Sequence, residues 1–283
     1  SYLCREGLRI HLFGLNDFDQ SIYRDISNLT IQTFGFSRQF IMSSTGHIKK
    51  LLYIRVLPAL KKAIELFQPD VLHSHYASGY GLIGALTNFH PYIVSVWGGD
   101  VYMFPNKSFF HRWIFRFNLS KADQILSTSK VMKEEIARYT KKPISVVPFG
   151  IDLKKFHPVN TLDNETITIG TVKQLKRKYG VDYLIRAFYE VQRQHPANKI
   201  KLLIIGDGPA KESLQNLTKK LGINEISEFT GRVHPDRVPE YLDKLDVYVA
   251  LSIYDSESFG VAVLEASACE LPVVVSNVSG FEE

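Results

Sequence analysis

The chain has 283 residues, of which 45% are hydrophobic and 22% charged, a balance that excludes a disordered protein and fits two domains. Its 34 Lys and Arg against 29 Asp and Glu give a net charge of +5, which favours anionic partners and does not call for nucleic acid. No apolar run approaches the ~20 residues of a membrane helix. The two cysteines, Cys4 and Cys269, make no disulfide framework and predict a reducing cytoplasm.

The first half of the chain alternates short apolar runs with helical patterns, which is typical of βαβ units and a parallel sheet. The opening residues resemble the last turn of a helix that stops at Gly7, so we expect a piece of the protein to precede Ser1. Pro58 predicts a kink in the helix at 48–67. Strands are predicted at 8–13, 29–34, 71–73, 93–96, 124–127 and 144–147, and helices at 48–67, 79–88, 109–119 and 131–139.

The tract VVPFGIDLKKFHP, residues 146–158, interrupts this alternation and predicts a boundary between domains at 1–150 and 151–283. The alternation then resumes and ends without a closing helix, so we expect further elements beyond Glu283. Within the helix at 181–194, the spacing of Leu184, Ala187, Phe188 and Val191 predicts the core face. Strands are predicted at 166–172, 201–205, 227–230, 247–251 and 273–275, and helices at 181–194, 211–221, 237–244 and 260–269.

The segment HRWIFRF, residues 111–117, interleaves cations with large aromatic residues. Such a segment is suited to an anionic membrane face. The more frequent interpretation is a helix whose rings lie in the core.

The segment DSESFGVAVLEASACELPVVVSN, residues 255–277, carries the strongest chemical signal. It predicts a loop with Glu257, a cap at Ser258 and a helix that carries Glu265. The N–H groups at the start of such a helix form a site for a diphosphate, and the two carboxylates can accept hydrogen bonds from sugar hydroxyls. From the residues alone, a dipole partner and a solvated helix face are equally good interpretations of these glutamates. The first turn of this helix is predicted to hold Phe259, Gly260 and Val261.

In the first half, DVLHSHYASGYG places His73 and His75 on one face at the C-terminal end of a strand, where open α/β sheets bind ligands. One interpretation is that the two histidines bind a metal ion, although no cluster with a third ligand accompanies them. The other is that they are structural residues whose ring nitrogens make hydrogen bonds within the protein. In SVWGGDV, Gly98 and Gly99 expose backbone amides, and Asp100 either binds a hydroxyl or caps a helix.

These motifs together resemble the retaining glycosyltransferases of family 4. The resemblance rests on two glutamates separated by seven residues, with SFG after the first and an Ala-rich helix and LPVV after the second. It also rests on VVPFGID followed by Phe156 and Pro158, and on YGVDYLIRAF and IIGDGP. It covers essentially the whole chain. It implies the α/β GT-B fold, in which two Rossmann-like domains with doubly wound parallel sheets face each other across a cleft, and a reaction without a metal or other cofactor.

The resemblance also implies roles for individual residues. Glu257 contacts the donor sugar, the Phe259 and Gly260 amides face its phosphates, and Glu265 holds the ribose. The family places an Arg and a Lys against the diphosphate; GTVKQLKRKYG has no Arg at the expected place, and Lys173 and Lys178 are the best candidates. His75 lies near the transferred sugar and the acceptor. The nucleotide is approached by the turn at Gly206 and Gly208 and by the segment that ends at Val233, and the acceptor by Gly98, Gly99 and Asp100.

The resemblance therefore predicts a cytoplasmic hexosyltransferase-type enzyme that moves a sugar from a UDP- or GDP-sugar to a saccharide or lipid-linked acceptor. Cell-surface polysaccharide synthesis and a peripheral position at the membrane fit the positive charge. The family's first Gly-rich loop and its bracing C-terminal helix are not in this sequence. A sugar-nucleotide epimerase and a non-catalytic nucleotide-sugar-binding protein are the alternatives. An NAD-dependent dehydrogenase is disfavoured because no G-x-G-x-x-G opens a βαβ unit.

Overall fold

A computed structural model describes residues 2–37, 48–158, 165–254, 257 and 259–282. The chain divides into two compact units, Ser1–Val147 and Pro148–Glu283. This division falls inside the tract VVPFGIDLKKFHP. Each unit is an α/β structure in which the paired strands run parallel.

The first unit contains a parallel pair and a four-stranded parallel sheet. The pair is formed by β1 (Ile10–Asn16) and β2 (Leu29–Phe36). The larger sheet has its strands in chain order: β3 (Leu72–His75), β4 (Tyr92–Ser95), β5 (Gln124–Ser127) and β6 (Ile144–Val146). The α-helices are α1 (Tyr2–Arg5), α2 (Leu57–Phe67), α3 (Gly79–Thr87), α4 (Phe109–Lys121) and α5 (Lys130–Ala137).

Side-chain caps start two helices of this unit. The side chains of Ser108 and Ser129 accept the backbone N–H groups of His111 and Met132, which satisfies donors that the first turns of α4 and α5 otherwise leave unpaired. Phe115 of α4 and Ile125 of β5 are fully buried in the core of the larger sheet.

The helix predicted at 48–67 is two elements in the structure. Residues Ile48–Val56 form a 3₁₀-helix, and α2 begins only at Leu57. Pro58 therefore lies in the first turn of an α-helix, where its missing N–H is not needed, and the predicted mid-helix kink is wrong. The first predicted strand is also displaced: β1 begins two residues later and continues to Asn16.

The second unit has one five-stranded parallel sheet with the order β11-β10-β7-β8-β9. The order reverses at β7, whose neighbours are β8 on one side and β10 on the other. The strands are β7 (Ile167–Val172), β8 (Ile200–Ile205), β9 (Ser227–Gly231), β10 (Val247–Ala250) and β11 (Val273–Val275). The α-helices are α6 (Val181–Gln194), α7 (Lys211–Lys220), α8 (Val238–Leu242) and α9 (Val261–Ala268).

The core face of α6 differs from the predicted one. Leu184 and Phe188 are buried as expected, but Ala187 and Val191 are exposed, and Val191 has 41% of its surface accessible. The buried face is completed by Val181 and Ile185. The predicted and the observed sets of residues both repeat at helical spacing, and the face with the larger aliphatic side chains, Val181 and Ile185, is the one that packs on the sheet.

Candidate functional site

The strand order of the second unit selects one position for a ligand. In open α/β sheets, ligands bind beyond the carboxyl ends of the strands at the point where the order reverses. Here that point lies between β7 and β10. Lys173 directly follows β7, and Ser252 and Glu257 follow β10. The topology therefore brings together a basic and an acidic residue that are 84 positions apart in the chain.

An ion pair occupies this position. Lys173 Nζ donates to Glu257 Oε2 at 2.7 Å, and the two side chains are only 15% and 16% exposed. Ser252 Oγ donates to the same carboxylate oxygen at 3.0 Å. Because both charges are largely shielded from water, their attraction is screened far less than that of a surface pair. Two donors thus fix the carboxylate that the sequence predicts to contact the sugar.

Tyr179 holds the two lysines that the sequence selects for the diphosphate. The Nζ atoms of Lys173 and Lys178 each lie 4.7 Å from the centroid of the Tyr179 ring, within the range of cation–π attraction. Burial raises the pKa of the Tyr179 hydroxyl, an effect that Lys173 opposes and Glu257 reinforces. The ring is therefore a neutral anchor for two cations at neutral pH.

Two glycines let the surrounding backbone approach the site. Gly180 has a φ of +61°, and a Cβ there would lie 1.9 Å from the carbonyl oxygen of Leu251. Gly206 has a φ of +145°, and its Cβ would lie 1.9 Å from the carbonyl oxygen of Lys173. No side chain fits at either position, so these close approaches hold the Lys173 segment between the neighbouring loops. Gly208, also predicted to approach the nucleotide, packs in the same way against Leu175.

The helix predicted to bind phosphate, at residues 260–269, begins one residue later than predicted. Residue Gly260, with a φ of +69°, occupies the N-cap position, and α9 starts at Val261. Phe259 therefore precedes the helix, and its ring packs edge-on against Phe149 with centroids 5.5 Å apart. Ser258, predicted as the cap, lies outside the described residues.

Glu265 and Val233 lie in different surroundings. Glu265 is half-buried on α9; burial raises the pKa of its carboxyl, and the nearby Lys155 and Lys173 oppose that rise. Val233 is half-buried against the core and follows Gly231, whose carbonyl accepts the Gly206 N–H at 3.0 Å. Glu265 therefore lies near Lys173, and the segment with Val233 lies beside the loop that contacts the Lys173 backbone. The predicted contacts of Glu265 with the ribose and of Val233 with the base stay predictions.

In the first unit, β3 ends in the two predicted histidines. The rings of His73 and His75 lie 4.4 Å apart between centroids, and His73 Nε2 lies 2.7 Å from Ser95 Oγ. Burial lowers the pKa of His73 to about 4, with His75 as a second cause, and burial also lowers the pKa of His75. Both imidazoles are neutral at neutral pH. Among the described residues no group of three or more His, Cys, Asp or Glu side chains is arranged to hold a metal ion.

Asp100 is almost completely buried, with 1% of its surface exposed. Its carboxylate accepts the backbone N–H groups of Ala77 at 2.7 Å and Trp97 at 3.0 Å. Burial raises the pKa of this carboxyl against the effect of those hydrogen bonds. The Asp100 side chain thus joins two loops and caps neither the helical turn Gly99–Met103 that contains it nor another described helix start, and its contact with an acceptor hydroxyl stays a prediction. Gly98, with a φ of +111°, and Gly99, with open space around its Cβ position, remain predicted acceptor contacts.

Three functional candidates were missed from the sequence. Ser252 donates a hydrogen bond to Glu257, and the ring of Tyr179 contacts the Lys173 ammonium group. Trp97 packs against His75 with ring centroids 5.4 Å apart. The only sequence signals were a serine after a buried strand and single aromatic residues beside the motifs. Neither signal separates these residues from ordinary core or loop positions.

The described part of the chain has no helix that is both long and apolar enough to cross a membrane. The aromatic residues of α4 are divided between two faces. Phe115 is buried, whereas Trp113 is 54% exposed and Phe109 is 83% exposed. The interpretation that all the rings of this helix lie in the core is therefore wrong.

Two family descriptions match the chain side by side. The family described as "Glycosyl transferase 4-like" matches residues 1–129, and "Glycosyl transferases group 1" matches residues 152–283. Among curated relatives, the uncharacterized glycosyltransferase MJ1178 of Methanocaldococcus jannaschii is 26% identical over 98% of this chain and 72% of its own length. The N-acetyl-alpha-D-glucosaminyl L-malate synthase of Bacillus anthracis is 28% identical over 76% of this chain and 58% of its own length. The chain thus spans between about half and three quarters of these relatives.

Solved structures show the same architecture. Sucrose-phosphate synthase from Thermosynechococcus elongatus matches 99% of this chain and 74% of its own with a TM-score of 0.79 at 18% identity. Anabaena Alr3699/HepE, solved with UDP and glucose, matches 96% of this chain and 82% of its own with a TM-score of 0.72 at 16% identity. At these identities the likeness establishes the fold. With both halves matched by glycosyltransferase families, the chain belongs to the family 4-like glycosyltransferases of the GT-B fold.

Proposed function

We propose that this protein is a retaining glycosyltransferase that moves a sugar from a UDP- or GDP-sugar to a hydroxyl of a saccharide or lipid-linked acceptor. The observation that carries the proposal is the shielded Lys173–Glu257 pair at the strand-order reversal of the second unit. A site with a fixed cation, a fixed carboxylate and a helix start has the three groups that a nucleoside-diphosphate sugar requires.

In this proposal each group of the site has one task. Lys173 and Lys178 neutralise the diphosphate, together with the N–H groups at the start of α9. Glu257 accepts hydrogen bonds from the transferred sugar, and Glu265 holds the ribose. Because charge develops on the departing diphosphate, cations already fixed beside it lower the barrier without reorganisation during the reaction.

The proposed reaction is a front-face substitution. The bond between the anomeric carbon and the diphosphate oxygen breaks, and the acceptor oxygen attaches on the same face. The acceptor proton passes to the departing phosphate, so no covalent sugar–enzyme intermediate and no metal are required. On the acceptor side, neutral His75 accepts or donates one hydrogen bond near the transferred sugar.

The test begins with the donor. Thermal unfolding of the protein is measured with UDP- and GDP-sugars, because a ligand that binds only the folded state raises the unfolding temperature. The stabilising donor is then incubated with saccharide and lipid-linked acceptors, and release of the nucleoside diphosphate is measured. Glu257→Gln keeps the size of the side chain and removes its charge. We expect this variant to stay folded and to lose at least about 100-fold in transfer rate; turnover near that of the wild type contradicts the proposal.

Two alternatives predict different products. An epimerase converts the donor with no acceptor present, which chromatography of the sugar nucleotide detects. A non-catalytic binder is stabilised by the donor and releases no nucleoside diphosphate with any acceptor. The family assignment favours transfer over both.

The acceptor and the location of the protein are part of the proposal. The relative TuaC of Bacillus subtilis is named for teichuronic acid biosynthesis, a name that supports a role in cell-surface polysaccharide synthesis. We propose a cytoplasmic protein that contacts the membrane peripherally through the exposed aromatic residues of α4. Four basic residues and no acidic ones lie between Val101 and Ala122, which suits an anionic bilayer.

A further inference from the structure

Two aromatic rings lie exposed at the carboxyl ends of β3 and β4. Tyr76 follows β3 and is 44% exposed, and Trp97 follows β4 and is 37% exposed. Their rings are nearly parallel, with centroids 5.9 Å apart and planes inclined by 22°. Because neighbouring parallel strands end at the same edge of a sheet, the two stacked rings together present an exposed aromatic surface at the ligand-binding edge. We call this surface the aromatic platform.

The backbone at Tyr76 has an unusual conformation that sets the direction of its ring. Its φ is +74°, a region that bulky side chains rarely adopt. Two hydrogen bonds hold it there: the Tyr76 N–H donates to the Ser95 carbonyl at 2.9 Å, and the Gly81 N–H donates to the Tyr76 carbonyl at 2.8 Å. Such costly conformations persist where the surrounding structure enforces them, and they are concentrated at ligand sites.

A buried carboxylate joins the two loops that carry the platform. Asp100 accepts one N–H from each loop, that of Ala77 and that of Trp97. From below, the buried Asn118 side-chain amide donates to the carbonyls of Ala77 and Ser78 at 2.8 and 3.1 Å. The two rings are therefore held by buried groups that do not depend on a ligand, and the platform is formed before a ligand arrives.

The surroundings of the platform fit a sugar ring. The face of an aromatic ring is electronegative and attracts the weakly positive C–H groups that line one face of a pyranose. The sugar hydroxyls point outward from that face and require hydrogen-bonding groups at the platform edge. His75 supplies such an edge, because its ring lies 5.4 Å from that of Trp97 and burial keeps it neutral at neutral pH.

We propose that Tyr76 and Trp97 bind the acceptor by stacking against a pyranose ring, so that the acceptor is a saccharide or a lipid-linked saccharide rather than a simple alcohol. The assignment of this ring to the acceptor rests on the proposed transferase function. The stacking itself rests only on the aromatic platform and its buried supports.

The first experiment detects stacking without catalysis. The chain contains two tryptophans, so Trp113→Phe leaves Trp97 as the only tryptophan reporter. This protein is titrated with methyl glycosides of glucose, galactose and N-acetylglucosamine, and with glycerol as a polyol without a ring face. We expect at least one glycoside to change the Trp97 fluorescence saturably and glycerol to leave it unchanged. No saturable change with any glycoside, or an equal change with glycerol, overturns the proposal.

The second experiment assigns the binding to the platform. In the same background, Tyr76→Ala is expected to weaken glycoside binding at least tenfold, and Tyr76→Phe to retain it because the ring remains. The matched control is Tyr183→Ala, which removes a tyrosine that is 54% exposed on α6 of the other unit. Thermal unfolding of each variant shows that it is folded. Equal loss in Tyr183→Ala, or no loss in folded Tyr76→Ala, contradicts stacking.

A third measurement separates this proposal from the proposed function. UDP and GDP binding is measured on the same variants by thermal unfolding. We expect Tyr76→Ala to leave nucleotide binding unchanged while glycoside binding is lost. If neither nucleotide binds and glycosides still bind, the transferase proposal fails and the aromatic platform is upheld as a saccharide site.

Discussion

At the scale of single residues, the site of the second unit depends on one shielded charge pair. Lys173 is held by an ion pair with Glu257 and by the ring of Tyr179, whereas Lys178 has only the ring contact among the interactions described for its ammonium group. A lysine acts on phosphate as a point charge and lacks the planar fork of arginine. Its position therefore has to be fixed by its neighbours.

This difference between the lysines gives a prediction. Lys173→Met removes the charge but keeps the length of the side chain, and we expect it to reduce the transfer rate by ~100-fold. Lys178→Met is the matched variant and is expected to lose less, because Lys178 lacks the ion pair that fixes Lys173. Steady-state rates with a saturating donor measure both losses. A larger loss for Lys178→Met contradicts this ranking.

His73 gives a prediction about pH. The pKa of His73 is about 4 in the folded chain and near 6.5 when the chain is unfolded, so the unfolded chain binds more protons between these values. This residue therefore costs no stability above pH ~6.5, and the folded state loses stability as the pH falls towards 4. NMR titration of the ring protons should place the His73 transition near pH 4. In His75→Gln, the transition is expected at higher pH because a neighbouring positive charge is removed; an unchanged transition contradicts that cause.

At the scale of elements, close backbone approaches position the site. The short helical turn that carries Lys178 ends at Gly180, whose Cα faces the Leu251 carbonyl at the end of β10. The loop after β8 reaches the Lys173 carbonyl through Gly206. These contacts lock the ends of three neighbouring strands together.

A matched pair of glycines tests this element-scale contact. Gly180 and Gly222 have similar φ values of +61° and +71°, but only Gly180 has backbone atoms where a Cβ would lie. Gly222→Ala is expected to lower the free energy of unfolding by about 1 kcal/mol from the left-handed conformation alone. Gly180→Ala is expected to lower it by at least about 2 kcal/mol more, because backbone has to move. Urea unfolding of the second unit measures both; equal losses show that the contact adds nothing.

The elements also show what could be predicted from the sequence. Alternation of apolar runs and helical patterns located all eleven strands of the described structure within a few residues, because each strand contains a short apolar run bounded by polar or turn residues. The core face of α6 was predicted only in part: Leu184 and Phe188 are buried, but Ala187 and Val191 are exposed although they repeat at helical spacing as regularly as the buried residues do. Only the position of the sheet decides between the two stripes.

The site could be predicted only in part, for a similar reason. Glu257 and Lys173 were selected by their motifs, but their pairing depends on strand order, which no local pattern reveals. Asp100 was selected from its motif as an acceptor contact or a helix cap, but its burial depends on where Ala77 and Trp97 lie in space. Long-range contacts of this kind have no signature in sequence spacing.

At the scale of the whole molecule, the two units have separate cores and distinct chemistry. The second unit carries the candidate donor groups, and the first carries histidines and exposed aromatic side chains. On α4 of the first unit, stacked rings run from Phe110 through Trp113 to Phe117, and the Lys121 ammonium lies 5.9 Å from the Phe117 ring centroid. This face combines apolar area with positive charge.

The proposed membrane contact gives a whole-molecule prediction. The protein is expected to sediment with vesicles that contain phosphatidylglycerol more strongly than with pure phosphatidylcholine, and less strongly as salt increases. The double variant Phe109→Ser and Trp113→Ser is expected to reduce this binding at least tenfold. Leu66→Ser is the control, since Leu66 is 77% exposed on α2 of the same unit. Equal binding to both vesicle types, or an equal loss in the control, contradicts the membrane contact.

The Lys173–Glu257 ion pair has a consequence for turnover. In the proposed reaction, the bound diphosphate competes with the Glu257 carboxylate for the Lys173 ammonium group, so Glu257 weakens product binding as well as contacting the sugar. Glu257→Gln is therefore expected to bind UDP or GDP more tightly than the wild type does, and product inhibition becomes a direct measure of this competition.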